Sequence, residues 1–242
     1  MSCGTLYLVP TPIGNLEDIT LRALRVIKEA DYIICEDTRQ TVKLLNHFEI
    51  KKPLVSFFAQ NQPRRIPGII RDLASGKNLA LVSDSGMPAI SDPGYLLVAE
   101  ALKENIPIVP LPGPNAALTG LIASGLPTHN FTFLGFLRKK PGKMKKELAK
   151  AASAGETIIF YESPHRIRRT LAVCAEIFPP QTRTVLAREL TKVFEEFIRG
   201  TLEEVNIKLA QKEPRGEYVV MLSSENAEDV REDDNGEKLD NE

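Results

Sequence analysis

The chain is expected to be an α/β protein made of two α/β domains. Three observations carry that expectation. Short apolar runs alternate with helix-period segments through the first half, the pattern of a parallel sheet covered by helices. From "GLPTHNF" (125–131) onward the texture shifts to aromatic, alternating strands with closer strand neighbours. The length, 242 residues, accommodates two domains of about 100–130 residues.

Each element has its own local reason. Leu6–Val9 is an apolar strand ending at "PTPIGN". Asp18 or Thr20 caps a helix in which Leu21, Leu24, Ile27 and Lys28 keep helical spacing. "YIIC" (32–35) is a second strand, with Asp37 or Thr38 capping the next helix, and "LVSFF" (54–58) is a third. A helix follows over roughly 64–74, then a buried strand over 78–82. A helix around Tyr95–Lys103 and a strand at "IPIVPL" complete the alternation, and Asn115 caps a helix of small residues ending at Gly125. In the second half "FTFLGF", "TIIFYES", "RTVLAREL", "VFEEFIRG" and "GEYVVMLSS" read as strands. "PHRIRRTLAVCAEIF" and "TLEEVNIKLAQK" read as helices. The expected domains are 1–117 and 118–224.

Residues 225–242 hold nine acids and two bases, a net charge of −7, against 29 bases and 23 acids, or +6, in the rest. This tail has almost no apolar residues and is expected to be disordered. Hydrophobic content of 43% and charged content of 26% suit a globular enzyme. No apolar window is long enough for a membrane helix, and the N-terminal segment lacks the basic start of a signal peptide. Three scattered cysteines (Cys3, Cys35, Cys174) argue against a disulfide framework and for a reducing, cytoplasmic setting. The histidines His47, His129 and His165 show no metal-ligand spacing, so no metal is expected.

Four loops follow first-half strands: "PTPIGN" (10–15), "CEDTR" (35–39), "SDSGMPAISDPG" (83–94) and "LPGPNAA" (111–117). In an open parallel sheet the strand carboxyl ends share one edge, where ligands bind. Taken singly, such loops are also ordinary turns. Gly86, Gly113 and the prolines would let backbone approach a ligand closely, and Asp84 and Asp92 would accept hydrogen bonds. Residues 83–94 and 111–117 carry no lysine or arginine for a diphosphate, and no dinucleotide or phosphate-loop motif occurs. Asn115 at a helix start could favour a carboxylate. The pattern points to a nucleoside-like cofactor with an amino-acid end.

In the second half "YESPHR" (161–166) gathers Glu162, His165 and Arg166 at a helix start. This is either acid–base machinery or a capped structural junction. "FLRKKPGKMKK" (136–146) carries six bases in eleven residues. Cations oppose a helix N-terminus, so clustering them there suggests contact with nucleic-acid phosphates.

The segments "LYLVPTPIGNLEDITLRAL", "CEDTR", "SDSGMPAISDPG", "PLPGPNAAL" and "FYESPHR" resemble the ribosomal small-subunit 2′-O-ribose methyltransferase I branch of the tetrapyrrole methylases, class III S-adenosylmethionine enzymes. The resemblance runs from about Leu6 to Ser223. It implies two α/β domains with the cofactor cleft between them, a homodimer and no metal. It also implies S-adenosylmethionine-dependent 2′-O-methylation of a cytidine in the decoding region of 16S ribosomal RNA, as free RNA or in the 30S subunit. Members of the branch usually continue into a small helical extension, where this sequence passes into the acidic tail.

The donor-contacting positions implied by the resemblance are Asp84, Ser85, Gly86, Met87, Pro88, Gly113, Asn115, Ala116 and Ala117, with Tyr161 closing over the cofactor. Arg39, Lys139, Lys140, Lys143, Lys145, Lys146 and Arg166 are the expected RNA contacts. His165, Glu162 and Asp37 are the candidate bases, His165 preferred because an unperturbed imidazole accepts a proton near neutrality. The competing readings are a small-molecule methyltransferase acting on a tetrapyrrole precursor and a non-catalytic RNA-binding module.

Overall fold

A computed structural model describes residues 3–223; the tail expectation for 225–242 lies outside the described residues. The chain divides into two compact units, Met1–Asn115 and Ala116–Glu242, each with its own five-stranded sheet.

In the first unit, β1 (Leu6–Val9), β2 (Tyr32–Cys35), β3 (Leu54–Ser56), β4 (Leu79–Val82) and β5 (Ile108–Pro110) form the sheet β3-β2-β4-β1-β5. Every pairing is parallel. The central strand β4 is buried along its whole length, as a strand covered on both faces must be. Its alternation divides the core. Ala80 and Val82 pack with α1 (Leu21–Glu29) and α2 (Thr38–His47), while Leu79 and Leu81 pack with α3 (Gln62–Ala74) and α4 (Tyr95–Lys103). A 3-10 turn holds Leu16–Asp18, and Thr20 is the α1 cap, its hydroxyl accepting the Ala23 N–H at 3.0 Å. Helix α3 starts two residues before the expected Arg64.

The second unit opens with α5 (Ala116–Ile122). Its strands are β6 (Phe131–Phe136), β7 (Thr157–Glu162), β8 (Arg183–Arg188), β9 (Glu196–Thr201) and β10 (Tyr218–Ser223), in the order β6-β7-β10-β8-β9. Only β6–β7 is parallel; the other pairings are antiparallel. β10, buried throughout, fills the centre. One face packs α6 (Pro141–Ala152), α7 (Ile167–Ala175) and α8 (Leu202–Ala210) through Met144, Leu148, Leu171 and Val205. Gly120 of α5 lies against Met221 and Val219 on the other. A capping box between Thr201 and Glu204 starts α8.

The strand expected over "VFEEFIRG" begins only at Glu196. Glu189 and Thr191 adopt left-handed backbone (φ 50° and 63°), which ends β8 in a turned segment and leaves Val193 and Phe194 exposed. Among the described residues, no helix is long and apolar enough to cross a membrane.

Candidate functional site

The four loops at the carboxyl edge of the first sheet are knit together. Thr11 and Gly86 form a two-way backbone bridge, at 2.9 and 3.0 Å, between the loops after β1 and β4. The Thr11 hydroxyl donates to the Ser83 carbonyl at 3.0 Å, and the Ser83 hydroxyl to the Gly86 carbonyl at 2.7 Å. The Asp37 N–H donates to Asp84 at 3.1 Å, joining the loop after β2. The fourth loop joins at Gly113, where an added Cβ would stand 2.6 Å from Pro10 Cβ. The glycine is therefore required by packing between loops. Within 83–94, Ala89 and Ser91 hold left-handed conformations, φ 68° and 63°. Such strain persists only where surroundings over-determine it.

This edge is acidic. Burial pushes the Asp92 carboxyl up to about 6, aided by the charges of Glu36 and Asp84. Burial also raises Glu36, with Asp84 and Asp37 contributing. Partial desolvation of its carboxyl, with the Asp37 charge, raises Asp84 against the opposing hydrogen bond from the Asp37 N–H, although the residue as a whole is exposed. Carboxylates held above their ordinary range favour a cation nearby. Glu36 is absent from the residues the sequence singles out. Its position directly after β2, beside Asp37, is the same signal that marks Asp84 after β4. Asp84 and Ser85 are exposed, Met87 half-buried, and Gly86 and Pro88 buried.

Asp37 caps α2 and is gripped by Arg39, with N···O distances of 2.6–3.2 Å. Those hydrogen bonds hold its carboxyl down to about 2, which makes it a weak proton acceptor near neutrality. The same contacts turn one side of the Arg39 guanidinium toward Asp37, so a phosphate must compete for it.

Asn115 is half-buried before α5. Ala116 begins that helix, and the Ala117 N–H donates to the Tyr161 hydroxyl at 3.3 Å. Two residues expected to touch a cofactor thus touch each other.

At "YESPHR" two of the expected site residues are held by neighbours in the chain. The Glu162 side chain is fully buried and accepts from the Ser163 N–H at 2.8 Å and the Thr170 hydroxyl at 2.6 Å. It also pairs with Arg166 at 3.3 Å. A carboxylate so enclosed anchors a junction, the capped alternative that the sequence offers for this segment. Arg166 donates to the Leu137 carbonyl at 3.0 Å with a quarter of its side chain exposed, so it holds the chain entering the basic segment. His165, between them in sequence, is exposed.

In the basic segment, Lys140 is the α6 N-cap residue, and Lys143, Lys145 and Lys146 lie in the helix itself. All three, with Arg138, Lys139 and Lys140, are exposed. Lys145 pairs with Glu176 at 3.0 Å. Met144 and Leu148 are buried, which fixes the face that carries the lysines. Among the described residues, no cluster of three or more His, Cys, Asp or Glu is placed to hold a metal.

Comparison with known proteins matches residues 5–206 to the family described as Tetrapyrrole (Corrin/Porphyrin) Methylases. The "Ribosomal RNA small subunit methyltransferase I" of Halalkalibacterium halodurans is 50% identical over 236 residues, 98% of this chain and 78% of that protein. Its namesake from Thermotoga maritima is 46% identical over 221 residues, 91% of this chain and 98% of that one. Among solved structures, the uroporphyrin-III C-methyltransferase of Thermus thermophilus complexed with S-adenosyl homocysteine aligns with TM-score 0.64. It is 21% identical and covers 91% of this chain and 98% of its own.

Proposed function

The chain belongs to the tetrapyrrole methylase family, and from that premise we propose that it transfers the methyl group of S-adenosylmethionine to the ribose 2′-oxygen of a cytidine in the decoding region of small-subunit ribosomal RNA. The observation that carries the proposal is the identity of 46–50% along nearly the whole chain with proteins named for methylation of that RNA.

The donor's chemistry fits the first unit. Its sulfonium and ammonium are cations, and the loop edge offers Glu36, Asp84 and Asp92 with their carboxyls held high by burial. It has no phosphate, and residues 83–94 and 111–117 contain no lysine or arginine. When bound, the donor supplies an activated methyl group. Asp84 to Pro88 and the 113–117 segment are the residues proposed to hold it, with Gly113 shaping its loop against Pro10 and Tyr161 bracing Ala117.

The exposed lysines of 139–146 are proposed to hold RNA phosphates, and Arg39 keeps a secondary place there. The main source of rate is placement of the ribose oxygen about 3 Å from the methyl carbon and in line with its leaving group. Exposed His165 is the proposed acceptor of the hydroxyl proton, a contribution of about 10²–10⁴-fold. A homodimer and a cytoplasmic setting belong to the same proposal, and exposed Tyr95, Leu96 and Leu102 on α4 offer an apolar surface for pairing. Incubation with methyl-labelled donor tests the reading. Label entering small-subunit RNA or 30S subunits is expected; label entering only uroporphyrinogen would overturn it.

A further inference from the structure

Phe136, at the end of β6, is 59% exposed. A lone exposed apolar side chain is ordinary, but this one is held in place from several sides. The β6–β7 register breaks between Phe133 and Phe136, where Gly135 takes φ 63°, a conformation that favours glycine. Beyond the break Phe136 pairs with Tyr161, and the two rings are steeply inclined, with centroids 5.5 Å apart at 62°. Tyr161 is braced in turn by Phe133 at 5.0 Å. On the other side Leu137 is buried, and its carbonyl is held by Arg166, itself paired to buried Glu162. The next three residues, Arg138, Lys139 and Lys140, are exposed cations.

A pinned, largely exposed aromatic ring running straight into a row of cations is the chemistry that binds single-stranded nucleic acid. The ring takes an unstacked base and the cations take the backbone phosphates. A protein partner reading an apolar surface would want apolar neighbours, and the adjacent loop residues are charged. We propose that Phe136 is a stacking platform for an unpaired base of the RNA substrate, so that this unit selects single-stranded or looped RNA over duplex. The inference rests on the RNA-binding reading of the basic segment. In this role Phe136 is a positioning residue: stacking fixes the strand, and the lysines supply affinity that depends on salt.

The chain has no tryptophan, so Phe136→Trp introduces a single reporter at the position in question. Binding is measured with a short single-stranded oligoribonucleotide and with a duplex of equal length. Phe136→Leu, which keeps an apolar side chain and removes the π face, is expected to raise the RNA Kd and KM about 5- to 150-fold. Donor affinity, kcat and the slope of log affinity against log salt should stay at wild-type values. Phe136→Trp should retain affinity, and its emission should be quenched by the single strand more than by the duplex. Wild-type affinity in Phe136→Leu, or emission that RNA does not change, overturns the stacking role. If replacement of the lysines by glutamine still flattens the salt slope in that case, the RNA-binding reading stands without it. If neither set of variants changes RNA binding, both readings fail.

Discussion

Removing the Glu162 carboxylate separates an anchoring role from a catalytic one. In Glu162→Ala the Thr170 hydroxyl, fully buried, loses its acceptor, as does the Ser163 N–H. Arg166, whose side chain is only a quarter exposed, loses its charge partner. An unsatisfied buried polar group costs about 1–3 kcal/mol, and breaking a buried pair from one side about 3–5 kcal/mol. These terms overlap at one site, and water reaches part of Arg166, so about 3–5 kcal/mol covers the whole change. Against a total stability of about 5–15 kcal/mol, that is a drop in Tm of roughly 6–20 °C. Glu162→Gln keeps the shape and part of the hydrogen bonding and should cost about 1–2 kcal/mol. Scanning calorimetry reads the stability, and methyl transfer at a temperature where both variants remain folded reads kcat. The account predicts reduced stability with kcat per folded molecule within a few-fold of wild type. Unchanged Tm with kcat lowered by about 10²–10⁴-fold would refute it and return Glu162 to the reacting centre.

Three further outcomes follow from the same geometry. Replacing Lys139, Lys140, Lys143, Lys145 and Lys146 by glutamine should flatten the salt dependence of RNA affinity, by about 0.7–0.9 in log–log slope for each phosphate no longer neutralised; an unmoved slope makes the segment a solvated surface. Asp92 is raised in the fold from 3.8 to about 6, so the folded state binds more protons than the unfolded one in that window. Stability should therefore fall as pH rises from about 4 to about 6 and level off above. Donor affinity, measured by calorimetry, should rise over the same range as the carboxylate ionises toward a cation, and Asp92→Asn should lose both trends. His165→Ala should lower kcat by about 10²–10⁴-fold with donor affinity unchanged; a variant with wild-type kcat removes His165 as the proton acceptor.

Much of the first unit is legible in the chain because its signals are local. Apolar runs of four residues, each followed by a cap or turn, are enough to read β1, β2, β4 and the helices after them, and parallel pairing follows from the alternation. The second sheet is less legible. β10 comes last in sequence yet lies between β7 and β8, and no local pattern encodes that choice of neighbours. The site divides the same way. Asp84 and the lysines stand out by position and charge, whereas the packing of Gly113 on Pro10 joins residues about a hundred apart and has no local signature. Glu162 illustrates the same limit. A Glu at a strand-to-helix junction has one sequence signature whether it faces solvent or lies buried, and Thr170, in the first turn of α7, decides the matter by donating to its oxygen. The raised carboxyls of Glu36 and Asp92 likewise arise from burial and mutual proximity, which spacing does not report.

The central claim is that this chain methylates one ribose of small-subunit ribosomal RNA, and mass spectrometry of that RNA from a strain lacking the gene tests it most directly. The account predicts that a single cytidine in the decoding region loses its 2′-O-methyl group and regains it when the purified chain and S-adenosylmethionine are added to the deletion strain's 30S subunits. Small-subunit RNA whose 2′-O-methylation is identical with and without the gene would contradict it.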